Sequence, residues 1–111
     1  MSLPPMLERH YDELIALCEQ HGVERLYAFG SVVSDRFDET RSDLDFIAEM
    51  LPMPPIERGE SLMNFWTGLE ELFERKIDLL TEQPIKNPYL RQSIEASKQL
   101  IYDRTSEKVS V

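Results

Sequence analysis

Apolar positions recur at helical spacing in three parts of the chain. They predict an amphipathic helix over residues 5–20 and a second, more strongly patterned one over residues 62–73, whose aromatic side chains are expected in the core. A last helix is predicted to start with Asn87 as N-cap and Pro88 in the first turn, and to continue toward Tyr102.

Short apolar runs predict three strands. The first run covers residues 25–29 and the third covers residues 77–80. Between them, Leu44, Phe46 and Ala48 recur at every second position, which is the period of a strand with one buried face.

Polar residues and prolines predict the connections. A solvated loop is expected over residues 34–42, and three prolines predict an irregular loop at about residues 51–58. The polar tail from Asp103 onward is expected to fray. Because helices and strands alternate along the chain, we predict an α/β fold in which helices cover a sheet.

Length and composition narrow the class of protein. With 111 residues, we expect a single domain with its core at about residues 5–103 and a frayed tail at 104–111. No apolar run approaches the ~18 residues of a transmembrane helix, and no secretory signal is visible. Cys18 is the single cysteine, which excludes an intrachain disulfide and a thiolate zinc site. A cytoplasmic location and no membrane association are therefore expected.

Charge narrows the choice of partners. The formal net charge is −9 at pH 7, with 21 acidic residues against 12 basic ones. Such a surface repels a phosphate backbone, so stable nucleic-acid binding is not expected. A small nucleotide whose phosphates are bridged to carboxylates by divalent cations remains compatible with this charge, as does a basic protein partner.

Gly30-Ser31 follows the first predicted strand. Glycine allows a close approach of the backbone to a phosphate, and serine offers a hydroxyl and a backbone N–H. The dipeptide alone is more often a simple turn.

Asp43 and Asp45 are two residues apart on the second predicted strand, so both carboxylates project from one face. Such a pair suits Mg²⁺ or Mn²⁺, although an isolated pair is more often the solvated face of an edge strand. Asp78 interrupts the third strand and is either a buried functional group or solvent-facing. Taken together, these features supply a phosphate cradle and three metal ligands, as two-metal nucleotidyl transfer requires.

This combination resembles the signature of the polymerase-beta-type nucleotidyltransferase superfamily, over about residues 23–102. The short length, together with residues 76–81 and 87–103, resembles the minimal nucleotidyltransferases. In prokaryotes these are commonly paired, as antitoxins, with a HEPN-domain toxin.

The resemblance implies a polymerase-beta-like fold, with a small mixed β-sheet and helices packed on it. Asp43, Asp45 and Asp78 would be the catalytic residues and would hold two Mg²⁺ ions, with Mn²⁺ as a substitute. Gly30 and Ser31 would bind the phosphates of ATP, the donor.

One part of the family pattern differs in this chain. Related minimal proteins carry a small residue, then Arg or Lys, then Gly soon after the Gly-Ser pair, whereas this chain has Val33-Ser34-Asp35. Arg36 or Arg41 is the candidate that would contact the triphosphate instead.

The implied reaction is transfer of AMP from ATP to a protein hydroxyl, expected to be a tyrosine of the partner HEPN toxin. The alternative is a non-catalytic nucleotide-binding antitoxin module that neutralises its partner by occlusion. The three aspartates favour the enzyme, and the altered loop after Ser31 favours the module.

Overall fold

Four strands form one mixed sheet in this computed structural model, which describes residues 5–30, 43–81 and 88–104. The strands are β1 (Val23–Phe29), β2 (Leu44–Met50), β3 (Ile77–Thr81) and β4 (Gln99–Asp103). They lie side by side in the order β3-β2-β1-β4. β1 pairs antiparallel with both β2 and β4, whereas β2 and β3 are parallel. The predicted α/β class and the mixed sheet implied by the resemblance are therefore confirmed.

Three helices cover one face of the sheet: α1 (Pro5–Arg9), α2 (Tyr11–Gln20) and α3 (Pro55–Phe73). The main core lies between these helices and the alternate strand residues that face them. Its largest fully buried side chains are Phe46, Phe65, Leu7, Leu14, Leu26, Leu44, Leu69 and Ile77. None of the helices in the described ranges combines the length and the apolar composition needed to cross a bilayer.

Helix α4 (Pro88–Ser97) packs on the opposite face. Its Ile94 is buried against Phe29 of β1 and Ile47 of β2, and these three residues form a second, smaller core. Because side chains alternate along a strand, Asp45 lies on this same face of the sheet, next to Ile47.

Two of the predicted helices differ from the expectation: the first is divided in two, and the second begins earlier. The helix predicted over residues 5–20 is two helices, because His10 leaves the helical conformation with φ −113° and ψ 20°. The loop predicted at residues 51–58 is shorter, because α3 already begins at Pro55. Proline is compatible with the first turn of a helix, where its missing N–H would have no intrahelical acceptor.

The predicted C-terminal helix is wrong beyond Ser97. Residues Gln99–Asp103 form β4, in which Leu26 pairs with Tyr102 and Arg25 with Asp103. The expectation that the tail frays from Asp103 is also wrong at its start, because Asp103 belongs to β4. Arg104 donates hydrogen bonds to the carbonyl oxygens of Val23 (3.3 Å) and Glu19 (3.4 Å).

Candidate active site

Two carboxylates are brought together by the parallel pairing of β2 and β3. Asp45 lies directly opposite Asp78, between the in-register pairs Leu44–Ile77 and Phe46–Leu79. Parallel neighbours need a crossover connection, and α3 provides it between these two strands. Asp45 and Asp78, 33 positions apart in the sequence, are thus adjacent residues of one sheet face.

The environment of Asp45 disfavours its charged form. Burial raises the pKa of Asp45 to about 6, assisted by a hydrogen bond with Asp78 and by the negative charges of Asp78 and Asp43. The hydrogen bond between two carboxyl groups needs a proton on one of them. The repulsion that makes the pair hold a proton near neutral pH is also relieved by a bound cation, so the same pair favours cation binding.

Gly30 follows β1 directly and lies against Asp45. Its φ is +74°, in the left-handed region that L side chains rarely adopt, and a Cβ atom there would be 2.6 Å from Oδ2 of Asp45. Phe29, the preceding residue, is the strand partner of Asp45. Glycine is therefore required at position 30 both by the backbone conformation and by the close approach of the carboxylate.

Asp43 immediately precedes β2 and is half-buried. Its charge contributes to the raised pKa of Asp45, so it lies near the pair as the two-residue spacing predicts. In residues 5–30, 43–81 and 88–104, no three His, Cys, Asp or Glu side chains form a ready-made metal cluster. The donors themselves fit a hard divalent cation, since they are carboxylate oxygens whose mutual repulsion such a cation relieves.

The remaining predicted site residues, Ser31, Arg36 and Arg41, lie outside the described residues. Their roles in binding the triphosphate stay predictions. Of the predicted site, the structure therefore brings together Gly30, Asp45 and Asp78, with Asp43 close enough for its charge to act on Asp45.

Two features near the site were missed from the sequence. Lys98 places its ammonium 4.9 Å from the centre of the Tyr27 ring, on the face that carries Asp45. Trp66, expected only as a core residue, also donates a hydrogen bond from Nε1 to the carbonyl oxygen of Ile77 at 2.9 Å. The second feature had a signal in the sequence, because an indole N–H that is expected in the core needs an acceptor.

Known proteins resemble this chain in sequence and in fold. The family model of the nucleotidyltransferase domain matches residues 14–101. MJ0126 of Methanocaldococcus jannaschii, named as a candidate protein adenylyltransferase, is 34% identical over 97 residues, which are 87% of this chain and 90% of that protein.

Solved structures share the fold at lower identity. The structure of a candidate minimal nucleotidyltransferase superposes with a TM-score of 0.66 and 22% identity, covering 88% of this chain and 95% of the other. A chain of a toxin–antitoxin complex with AMP-PNP superposes with a TM-score of 0.59 and 16% identity, covering 88% and 77%. With its sequence match over most of its length, this chain belongs to the nucleotidyltransferase domain family and is an enzyme of the nucleotidyltransferase type.

Proposed function

We propose that this protein transfers AMP from ATP to a tyrosine hydroxyl of a HEPN-domain toxin and thereby silences the toxin. The observation that carries the proposal is the in-register pair of Asp45 and Asp78 beside the left-handed Gly30. The similarity to a candidate protein adenylyltransferase supports a protein as acceptor. The fold shared with a toxin–antitoxin chain, together with the net charge of −9, supports a basic toxin as the partner.

The reaction forms one bond and breaks one. The tyrosine oxygen attacks the α-phosphorus of ATP, the bond from that phosphorus to the bridging oxygen breaks, and pyrophosphate leaves. A phenol is a weak nucleophile at neutral pH, since its pKa is about 10. Asp78 would accept the hydroxyl proton as the oxygen attacks, a role open to it as a half-buried carboxylate beside Asp45.

Asp43, Asp45 and Asp78 would hold Mg²⁺, with Mn²⁺ as a substitute. When bound, the cations supply neutralisation of the phosphate charge that develops during transfer. Gly30, with no side chain, would let the backbone approach the phosphates, and Ser31 would donate to them. Arg36 or Arg41 would add a positive charge against the triphosphate.

Mass spectrometry of a HEPN-domain protein co-expressed with this chain tests the proposal. We expect AMP on a partner tyrosine with the parent protein, and none when Asp43 and Asp45 are both replaced by Asn. Asp12→Asn is a matched control, because it makes the same chemical change on the exposed surface of α2 and should leave the modification intact. If the double variant leaves the partner unmodified but inhibits it as well as the parent does, the proposal of silencing by AMP transfer is refuted and inhibition by occlusion is indicated.

A further inference from the structure

The strand that carries Asp78 lies at an edge of the sheet. In the part of the chain that the structure describes, β3 pairs with β2 alone. Asp78 is its second residue, so the site lies at the end of a short edge strand. Strand ends and sheet edges are the parts of a sheet with the fewest restraints on the backbone. A residue that restrains this end of β3 would therefore restrain Asp78.

The backbone carbonyls at this end of β3 accept hydrogen bonds of different length on the two sides of the strand. Toward β2, the N–H of Leu44 donates to the carbonyl of Lys76 at 3.4 Å, which is a long bond. Because carbonyls of successive strand residues point in opposite directions, the carbonyl of Ile77 points away from β2. There it accepts the shorter hydrogen bond from Nε1 of Trp66, at 2.9 Å. The indole thus takes the place of a neighbouring strand beside Asp78.

The donor packs against the core. Trp66 is a half-buried residue of α3, and its ring contacts the main core of buried side chains. The bond to Ile77 therefore ties the end of β3 to a 19-residue helix. The peptide unit that it fixes is the one that joins Ile77 to Asp78.

We propose that Trp66 is a positioning residue for Asp78, and that its indole N–H sets the placement of Asp78 against Asp45 by holding the Ile77 carbonyl. The inference rests on the proposed function, since it assigns Asp78 a role in transfer. Catalytic groups must be held to about 0.5 Å, and a displacement of about 1 Å can cost about 10²-fold in rate. Loss of the tie displaces Asp78 while β1 and β2 keep Gly30 and Asp45 in place. We therefore expect a larger effect on the rate of transfer than on nucleotide binding, to which Asp78 contributes as one of three proposed metal ligands.

Two replacements remove the N–H while keeping an aromatic ring. Trp66→Phe is the simple variant. Trp66 is the one tryptophan of the chain, so benzothienylalanine, in which sulfur replaces N–H in the same fused rings, can be incorporated at this position alone. Leu72→Ala is the control, because Leu72 is a half-buried residue of the same helix that lines the groove toward α2.

The first measurement is transfer kinetics, made below the unfolding temperature of every variant. We expect both Trp66 replacements to lower kcat about tenfold with KM for ATP changed less than about twofold, the result of misplacing one group without losing binding. Leu72→Ala should leave both constants near those of the parent. Unchanged kcat in the benzothienylalanine protein, or an equal loss in Leu72→Ala, would overturn the inference.

The second measurement does not need activity. Amide hydrogen exchange should be faster in the peptide that contains residues 77–81 when the N–H is removed, and unchanged in the peptides of β1 and β2. Leu72→Ala should not accelerate exchange in β3 selectively. Protection of β3 that is the same with and without the N–H would refute the positioning role. If the parent transfers no nucleotide but exchange changes as expected, the proposed function fails and the tie to Ile77 stands.

Discussion

Replacing Asp45 by Asn should stabilise the protein without nucleotide while it abolishes transfer. In the folded chain burial, with the contributions of Asp78 and Asp43, raises the pKa of Asp45 to about 6 from an ordinary value of 3.8. At about 1.4 kcal/mol for each pH unit, the ionised form of Asp45 is disfavoured by at most about 3 kcal/mol. Asp45 is only half-buried, so solvent screening reduces this to about 1–2 kcal/mol.

The sign of the pH dependence follows from proton binding. Between pH 3.8 and about 6 the folded state holds a proton on Asp45 that the unfolded chain has lost. The free energy of unfolding therefore falls as pH rises through this window, and the contribution of Asp45 to it is constant at higher pH. Asn carries no charge at any pH, and its amide can donate to Asp78 in place of the proton. The gain from Asp45→Asn should thus be full at pH 8 and fall to a few tenths of a kcal/mol at pH 4.

Thermal and urea unfolding from pH 4 to pH 8 measure this difference. We expect Asp45→Asn to raise Tm by about 5 °C or more at pH 8, since 1 kcal/mol corresponds to about 4–8 °C in a domain of this size. Asp12→Asn, on the exposed surface of α2, should give no stabilisation. A variant less stable than the parent at pH 8, or a gain of equal size at pH 4, would refute the electrostatic reasoning.

Three further outcomes are expected. Mg²⁺ with ATP should raise Tm of the parent but not that of the double variant Asp43→Asn, Asp45→Asn, and an equal rise in a thermal-shift assay would contradict the assignment. Gly30→Ala and Gly22→Ala should each lose about 1–2 kcal/mol of unfolding free energy, because both glycines have left-handed φ (+74° and +73°). Only Gly30→Ala, whose Cβ meets Asp45, should also lose Mg²⁺-dependent ATP binding, as measured by calorimetry. Equal ATP affinity of the Gly30→Ala and Gly22→Ala variants would show that Gly30 has a structural role alone. Leu69→Ala removes a fully buried core side chain and should cost about 2–5 kcal/mol in urea unfolding, and a loss below 1 kcal/mol would contradict the packing.

Local patterns predicted most of the elements because each is encoded within a few residues. The two-residue spacing of Asp43 and Asp45 places them on one face as soon as a strand is assumed. Alternation of Leu44 and Phe46 identifies that strand without knowledge of its neighbours. Both inner residues are fully buried, as this pattern predicts.

The strand β4 was not predictable in this way. Ile94 and Ile101 are seven residues apart, which is about two turns of a helix. The spacing therefore agrees with a continuous helix and does not indicate that a strand begins between them. Residues Gln99–Asp103 become a strand because β1 offers an unpaired edge, where Ala28 pairs with Gln99 and Arg25 with Asp103. Arg25 then bridges β2 and β4, through Glu49 at 3.0 Å and Asp103 at 3.5 Å. Such pairing depends on residues more than 70 positions away, so a local pattern cannot report it.

The sequence by itself predicted which residues carry the chemistry: Gly30-Ser31 after the first strand, and the three aspartates Asp43, Asp45 and Asp78. Tertiary structure alone decided which of them meet. The parallel register of β2 and β3, made possible by the α3 crossover, places Asp45 against Asp78 rather than one residue away. It also buries Asp45 enough to raise its pKa and directs the Ile77 carbonyl to Trp66. Register and burial arise from contacts between distant segments, and for that physical reason the spacing of residues along the chain does not contain them.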